Sequence, residues 1–342
     1  IWIGKKIDDF KLIEFSFFVI LLLFFSSIFF SYINNIFFLF IGIFFLRLSG
    51  QGLMAHTAST SISRYFDLNR GKALSVTWLG LSSAEFIMPI TIVFFLSIYS
   101  WRSIWLCIAL LIIIFLPILS LSTIKNIKID SREKDSLNVK KSNIKNWTRK
   151  EVLFDPKFYL ISLVMLALPT INTGVFVYQS FISDSKMWAI YTIPKAFMVY
   201  SITSIATLFV SGFLVDKFTG RKLIMYMNIP LLFAMITLFY FNHEIFAYIF
   251  LGLIGVSNGL ANILGSSTWA EIYGVKFIGS IKALTTAFMV FSTAFGTAVF
   301  GILIDKGFSI ENIASISGIY IVISLTLLII IRKTLEPIKL KK

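Results

Sequence analysis

Cysteine occurs once in 342 residues, as Cys107 inside an apolar run. No disulfide can close within the chain, and no cysteine-based metal site can assemble. Histidine occurs twice, at His56 and His243, and acidic side chains number 17 against 31 basic ones. The sequence holds no His-Glu-x-x-His, no Gly-x-Ser-x-Gly and no paired aspartates within an apolar run. The constellations that an intramembrane hydrolase would need are therefore missing. Neither enzymatic activity nor a cofactor or metal is expected. No charged segment with a cleavage site precedes the first apolar run, which starts close behind Ile1. Nothing reads as a signal peptide, and a missing N-terminus is the expectation.

The strand-like alternation of apolar and polar residues is also absent. Stretches such as Phe15 to Phe30 and Ile104 to Leu121 are apolar all round, which excludes a transmembrane barrel and points to helices. Hydrophobic residues make up 57% of the chain and mean hydropathy is +0.87, too apolar for a soluble domain of ordinary composition. Runs of about 20 residues, the length a helix needs to cross the hydrocarbon of a bilayer, recur throughout. Ten spans are expected, at 13–31, 35–58, 73–97, 102–123, 157–180, 188–214, 221–241, 245–268, 280–303 and 312–331.

The net charge of +14 would suit nucleic acid only if it gathered on one soluble face. It gathers instead in the short connections on one side of the membrane. These carry Lys5, Lys6 and Lys11; Arg64, Arg70 and Lys72; a cluster from Lys125 to Lys157; Lys217, Arg221 and Lys222; Lys276 and Lys282; and the basic tail from Arg332. The opposite connections carry only Arg102, Lys186 and Lys306. By the positive-inside rule both termini are cytoplasmic. The polar stretch from Lys125 to Lys157 can bury little apolar surface. It separates an N-terminal part, 1–123, from a six-helix part, 157–342, with 124–156 as the central cytoplasmic loop.

The second part contains Gly212-Phe-Leu-Val-Asp216-Lys217-Phe-Thr-Gly220-Arg221-Lys222 at a cytoplasmic turn. A weaker copy, Gly4-Lys5-Lys6-Ile7-Asp8-Asp9-Phe10-Lys11, opens the chain, and Gly4 to Gly212 spans the same interval as Asp8 to Asp216. Downstream, Ala73-Leu74 after Lys72 recurs as Ala283-Leu284 after Lys282 at nearly the same interval. Two homologous halves are implied. Glycine lets two helix ends approach, and an aspartate suits the positive end of a neighbouring helix.

This loop closely resembles the signature loop of the major facilitator superfamily, where it joins helices two and three of each six-helix half. The resemblance implies an all-α membrane protein with the major facilitator fold in two pseudo-repeated halves. The ten spans then become helices three to twelve of twelve. The chain would begin at the tail of helix two and lack helix one, which normally lines the transport path. The activity implied is secondary transport of a small solute by alternating access, by a monomer in the bilayer. Arg47-Leu-Ser-Gly50-Gln51-Gly52, Arg64-Tyr65-Phe66, Asn69-Arg70-Gly71-Lys72-Ala73, Trp101-Arg102, Trp269-Ala-Glu271-Ile-Tyr-Gly274 and Gly301-Ile-Leu-Ile-Asp305 resemble bacterial carriers related to the monocarboxylate and oxalate/formate transporters. That narrower resemblance implies a small organic anion, proton coupling and a bacterial inner membrane. The proline-bearing glycine motif of drug/proton antiporters is replaced by Gly80-Leu-Ser-Ser-Ala-Glu85-Phe-Ile-Met-Pro89. Export of a neutral or cationic metabolite or drug is the alternative, and a non-transporting receptor or inactive fragment stands behind it.

Charges inside spans are costly and usually face a cavity or partner, which singles out Arg47, Glu85 and Lys195. Arg47 and Glu85 both lie about 22 to 26 Å from their shared cytoplasmic loop at 1.5 Å per residue. They are expected either to form a structural ion pair or to hold an anion and a proton. The resemblance adds that helix four of these carriers often bears an arginine linked to coupling, although Gly50 and Gln51 reverse the usual order here. His56 suits either a proton relay or a buried structural role. Lys195 either snorkels to the outer surface or attracts a carboxylate as basic residues on helix eight do in these carriers. Asn172, Tyr178, Gln179, Asn258 and Asn262 are candidates to line the path, or to act as polar glue between helices. Gly252, Gly255 and Gly259 are expected to permit close packing. Gly4 and Asp8, with Gly212, Asp216, Gly220, Arg221 and Lys222, are the expected cytoplasmic gating loops.

Overall fold

In the computed structural model the described residues are 12–55, 57–58, 70–124, 145–274 and 277–336. Every regular element among them is helical. In chain order these are α1 (Leu12–Ser31), α2 (Ile36–Leu46), a π-helical segment (Arg47–Met54), α3 (Arg70–Leu96) and α4 (Trp101–Ile124). Then come α5 (Arg149–Leu153), α6 (Pro156–Val177), α7 (Gln179–Ser185), α8 (Thr192–Phe218) and α9 (Gly220–Leu223). A 3₁₀ turn at Ile224–Tyr226 leads to α10 (Ile229–Tyr240), α11 (Ile245–Tyr273), α12 (Ile278–Asp305) and α13 (Ile310–Ile331).

Ten helical stretches among the described residues are long and apolar enough to cross a membrane, and each falls on one of the ten expected spans. Their outer surfaces remain apolar: Phe40 is 71% exposed, Phe213 77% and Ile330 72%. In water such surfaces would be unstable; in lipid they cost nothing. The chain is an integral, all-α membrane protein.

Contacts divide the chain into two units, one of Ile1–Gly80 with Thr91–Val139 and one of Leu81–Ile90 with Lys140–Lys342. In the first, α1 lies along α4. The Phe30 ring sits 4.9 Å from that of Trp105 and 6.0 Å from that of Trp101. Arg102 Nη2 donates to Ile33 O and Asn34 Oδ1, both at 3.0 Å, and so ties the α1–α2 turn to the start of α4. Asn35 caps α2 by accepting from Phe37 N at 2.6 Å. Leu53, in the π-helical segment, joins Leu12, Phe15 and Val19 in a small apolar core.

In the second unit α8 and α11 approach most closely, because the facing positions of α11 are glycines. A Cβ on Gly255 would collide with Tyr200 O, and one on Gly259 with Ser204 O. The expected packing role of these glycines is thus realised, and Thr203 Oγ1 donates across the seam to Gly252 O at 2.9 Å. Asp155 caps α6 by accepting from Lys157 N at 3.1 Å, with Pro156 at its first position, where proline needs no donor.

The end of the Lys125–Lys157 stretch buries more than its polar composition suggests. Trp147 N donates to Tyr273 O at 2.9 Å, Val152 is fully buried, and Thr148 with Glu151 forms a capping box on α5. The reciprocal cap satisfies the free donors of a one-turn helix, which lets so short a segment fold against α11.

Candidate functional site

Among the described residues, three polar constellations bear on function. The first lies in the membrane interior of the second unit. Tyr200 on α8 is 1% exposed. Its hydroxyl lies near the side chain of Asn172 on α6 and within electrostatic reach of Glu85. Glu85 Oε2 and Asn172 Oδ1 are both buried without a hydrogen-bond partner. One helical turn beyond Tyr200, Ser204 accepts from Asn258 Nδ2 of α11 at 3.0 Å. Two acceptors in an apolar medium, neither with a donor, carry a desolvation cost. A proton or a hydrogen-bond donor on a solute would remove it.

The second constellation is at the turn between α8 and α9. Thr219 has φ 72°, a left-handed conformation in a non-glycine residue, and its Oγ1 is buried without a partner. Immediately after it the chain enters α9, whose first amides point at a carboxylate from α11. Glu271 accepts from Gly220 N at 2.8 Å and from Arg221 N at 3.0 Å. An anion at the first turn of a helix satisfies donors that no carbonyl can reach. Gly220 is buried, and a Cβ there would press on Ser267. Arg221 Nη1 is buried and unpartnered. The turn therefore combines backbone strain, unpaired polar groups and one bidentate latch.

The third constellation closes the opposite ends of the helices. Lys186 Nζ donates to Glu311 Oε1 and to Asn242 Oδ1, both at 2.7 Å. Trp188 Nε1 donates to Asn242 O at 2.6 Å, and Ala189 N to Glu244 Oε1 at 2.9 Å. The α7–α8 connection, the α10–α11 connection and the first turn of α13 are joined by one buried ammonium.

The sequence profile of the Major Facilitator Superfamily matches residues 11–198, more than half of the chain. The chain belongs to the major facilitator superfamily. It is therefore a secondary transporter embedded in the bilayer and acting on a small-molecule solute. A similar solved structure is a bacterial homologue of the human lysosomal transporter Spinster, in an inward-facing and occupied conformation. It is 13% identical, with a TM-score of 0.63 over 97% of this chain and 84% of that one. At that identity the likeness speaks for the fold. No match was found among curated proteins.

Within this facilitator the expected site residues are placed unevenly. Arg47 opens the π-helical segment of the second span, a helical form frequent at functional positions. It falls in the first unit and Glu85 in the second. Asn172 and Asn258 share the interior constellation, whereas Asn262, one turn further on α11, is half-buried with no role assigned by its contacts. Tyr178 ends α6 and Gln179 begins α7, so both sit at a helix break. The Tyr178 hydroxyl packs where a Cβ on Gly301 would stand. Lys195 is exposed on the first turn of α8, within reach of the interface for a side chain of its length. Gly212 and Asp216 lie in the last turns of α8, and Lys222 is exposed on α9. Gly4, Asp8 and His56 lie outside the described residues, as does the side chain of Asp216.

Tyr200, Ser204 and Lys186 are not singled out as site residues by the sequence, and Glu271 enters there only through a resemblance. Glu271 had a readable signal, being an acidic residue at the end of a long apolar run where carboxylates are sparse. Tyr200 and Ser204 had none, because nothing in their own segment separates them from ordinary helix-packing residues.

Proposed function

We propose that this facilitator carries a small organic anion of the monocarboxylate class, coupled to protons, by alternating access across a bacterial inner membrane with both termini cytoplasmic. The observation that carries the coupling is Glu85. Its Oε2 is buried without a donor, as is Asn172 Oδ1, and both residues lie within reach of the Tyr200 side chain. A proton on Glu85 neutralises its buried charge and removes the cost of holding an unpaired carboxylate in an apolar medium, as a group that is loaded and released during transport must. Arg47 is the cation for the substrate carboxylate. It stands inside a span, at the head of a π-helical segment, and its planar guanidinium matches a carboxylate fork. The Glu271 latch on Gly220 and Arg221 is the cytoplasmic contact that breaks when the path opens inward, and the strain at Thr219 lowers the cost of breaking it.

A second reading has its own observation. Two unpaired acceptors in the interior also suit a solute that brings donors, such as a neutral polyol or an amine. The two readings separate in a proton-flux assay on proteoliposomes loaded with a pH-sensitive dye. Addition of a small carboxylate acidifies the lumen under the first reading, and Glu85→Gln uncouples that flux. Under the second, carboxylates leave the lumen unchanged while a neutral or cationic solute is taken up.

A further inference from the structure

Where the central connection meets α6, the surface is neither plainly soluble nor plainly lipid-facing. Phe154 is 78% exposed and stands two residues before Pro156, the first residue of a 22-residue membrane-crossing helix. At 1.5 Å per residue that helix accounts for about the whole thickness of the hydrocarbon layer, so Phe154 lies at headgroup level. Tyr159 is 45% exposed, and its hydroxyl donates to Leu153 O at 2.8 Å. This fixes a second aromatic ring at the depth where tyrosine concentrates in membrane proteins.

Charge is arranged around these rings with a clear division. Glu151 is consumed by its own element: it receives Thr148 N at 2.7 Å and pairs with Lys145 Nζ at 2.9 Å. Asp155 is buried, accepting from Lys157 N at 3.1 Å and from the Tyr273 hydroxyl at 3.1 Å. Lys145 is committed too, lying 4.3 Å above the Trp147 ring. Arg149 and Lys150 are the exposed basic side chains here, with Lys157 half-buried at the start of α6. Lys150 precedes Phe154 by four positions and shares its face of α5. The inner face of the same turn is anchored by the fully buried Val152. An apolar ring flanked by basic side chains, held rigidly at headgroup depth, is complementary to anionic phospholipid and to no soluble acidic partner, which would leave Phe154 in water.

The geometry points to α5 and the α5–α6 junction as an anionic-phospholipid site, in which Phe154 enters the acyl boundary and Arg149 and Lys150 bind the phosphate of a lipid headgroup. The site is independent of the transported solute. It makes the end of the central connection a fixed attachment to the membrane surface, about which the second unit is held.

The test uses the whole chain in nanodiscs of phosphatidylcholine and phosphatidylglycerol, followed by native mass spectrometry of the lipid retained after mild extraction. Wild type is expected to retain phosphatidylglycerol over phosphatidylcholine, with no displacement by free inorganic phosphate. Each basic residue near an anionic surface contributes about a fivefold preference. Lys150→Gln should thus lower the apparent affinity about fivefold and R149Q/K150Q about 25-fold, while Phe154→Ser weakens retention of both lipids. Arg332→Gln removes a comparably exposed basic residue at another span end and should change nothing. Equal phosphatidylglycerol retention by R149Q/K150Q and wild type overturns the assignment. An equal loss in Arg332→Gln also overturns it, since bulk charge alone would then be responsible. Displacement by inorganic phosphate would overturn the lipid as the occupant.

Discussion

Lys186 and Glu311 lie 125 positions apart, and their side chains meet at 2.7 Å with the ammonium wholly buried. The carboxylate keeps 37% of its side chain exposed, and that asymmetry decides which partner matters more.

Removing Glu311 leaves a buried charge with Asn242 as its remaining acceptor, whereas removing Lys186 leaves a carboxylate that water can reach. Glu311→Ala should therefore cost about 3 kcal/mol and Lys186→Met only about 1 to 2 kcal/mol. Thermal or denaturant unfolding of the purified variants in one detergent checks the order. Equal losses, or the reverse order, would show that the ammonium is not as enclosed as its packing indicates.

At the α8–α9 turn two substitutions should move stability in opposite directions. Thr219→Gly relieves a left-handed conformation and removes an unpartnered hydroxyl, and should stabilise by about 1 kcal/mol. Glu271→Ala frees two helix-start amides and should destabilise by about 2 kcal/mol. If the turn is a latch, Glu271→Ala also raises the labelling rate of a cysteine placed at Ser267 by a thiol reagent applied from the cytoplasmic side.

The Thr148 amide, with Lys145, holds the Glu151 carboxyl at about 2, well below its usual 4.5. A depressed carboxyl pKa stabilises the folded form above the unfolded value and loses that contribution as protons are added. The α5 junction should thus be indifferent to pH above about 5 and loosen between pH 4.5 and pH 2. Hydrogen exchange of the Val152 and Leu153 amides reports this directly. In Glu151→Gln the dependence over that range should vanish, with the faster exchange already present at neutral pH.

The spans were legible because their signal is collective: twenty apolar residues and a biased distribution of Lys and Arg survive errors at any single position. The loop at Gly212 to Lys222 was legible because its glycines and charges are set at fixed intervals. The interior constellation was half legible. Asn172 and Asn258 stand out as amides in apolar runs, but Tyr200 and Ser204 are residue types that packed helices use everywhere. The π-helical segment after Arg47 was not legible, since its register depends on how Leu53 packs against Leu12 and Phe15 as well as on the Gly50-Gln51-Gly52 run. The Lys186 clamp could not be read either. It joins two connections and the first turn of α13 through contacts 54 to 125 positions apart, and in sequence Lys186 is only a charge in a short outer loop.

Uptake of radiolabelled small carboxylates into proteoliposomes under an inward proton gradient tests the central claim most directly. The account predicts saturable uptake that collapses when the gradient is dissipated. Arg47→Ala should lose it, and Glu85→Gln should no longer respond to the gradient while still exchanging substrate. Correctly folded protein that takes up no carboxylate with or without the gradient would contradict the account and turn the interior acceptors toward a neutral or cationic solute.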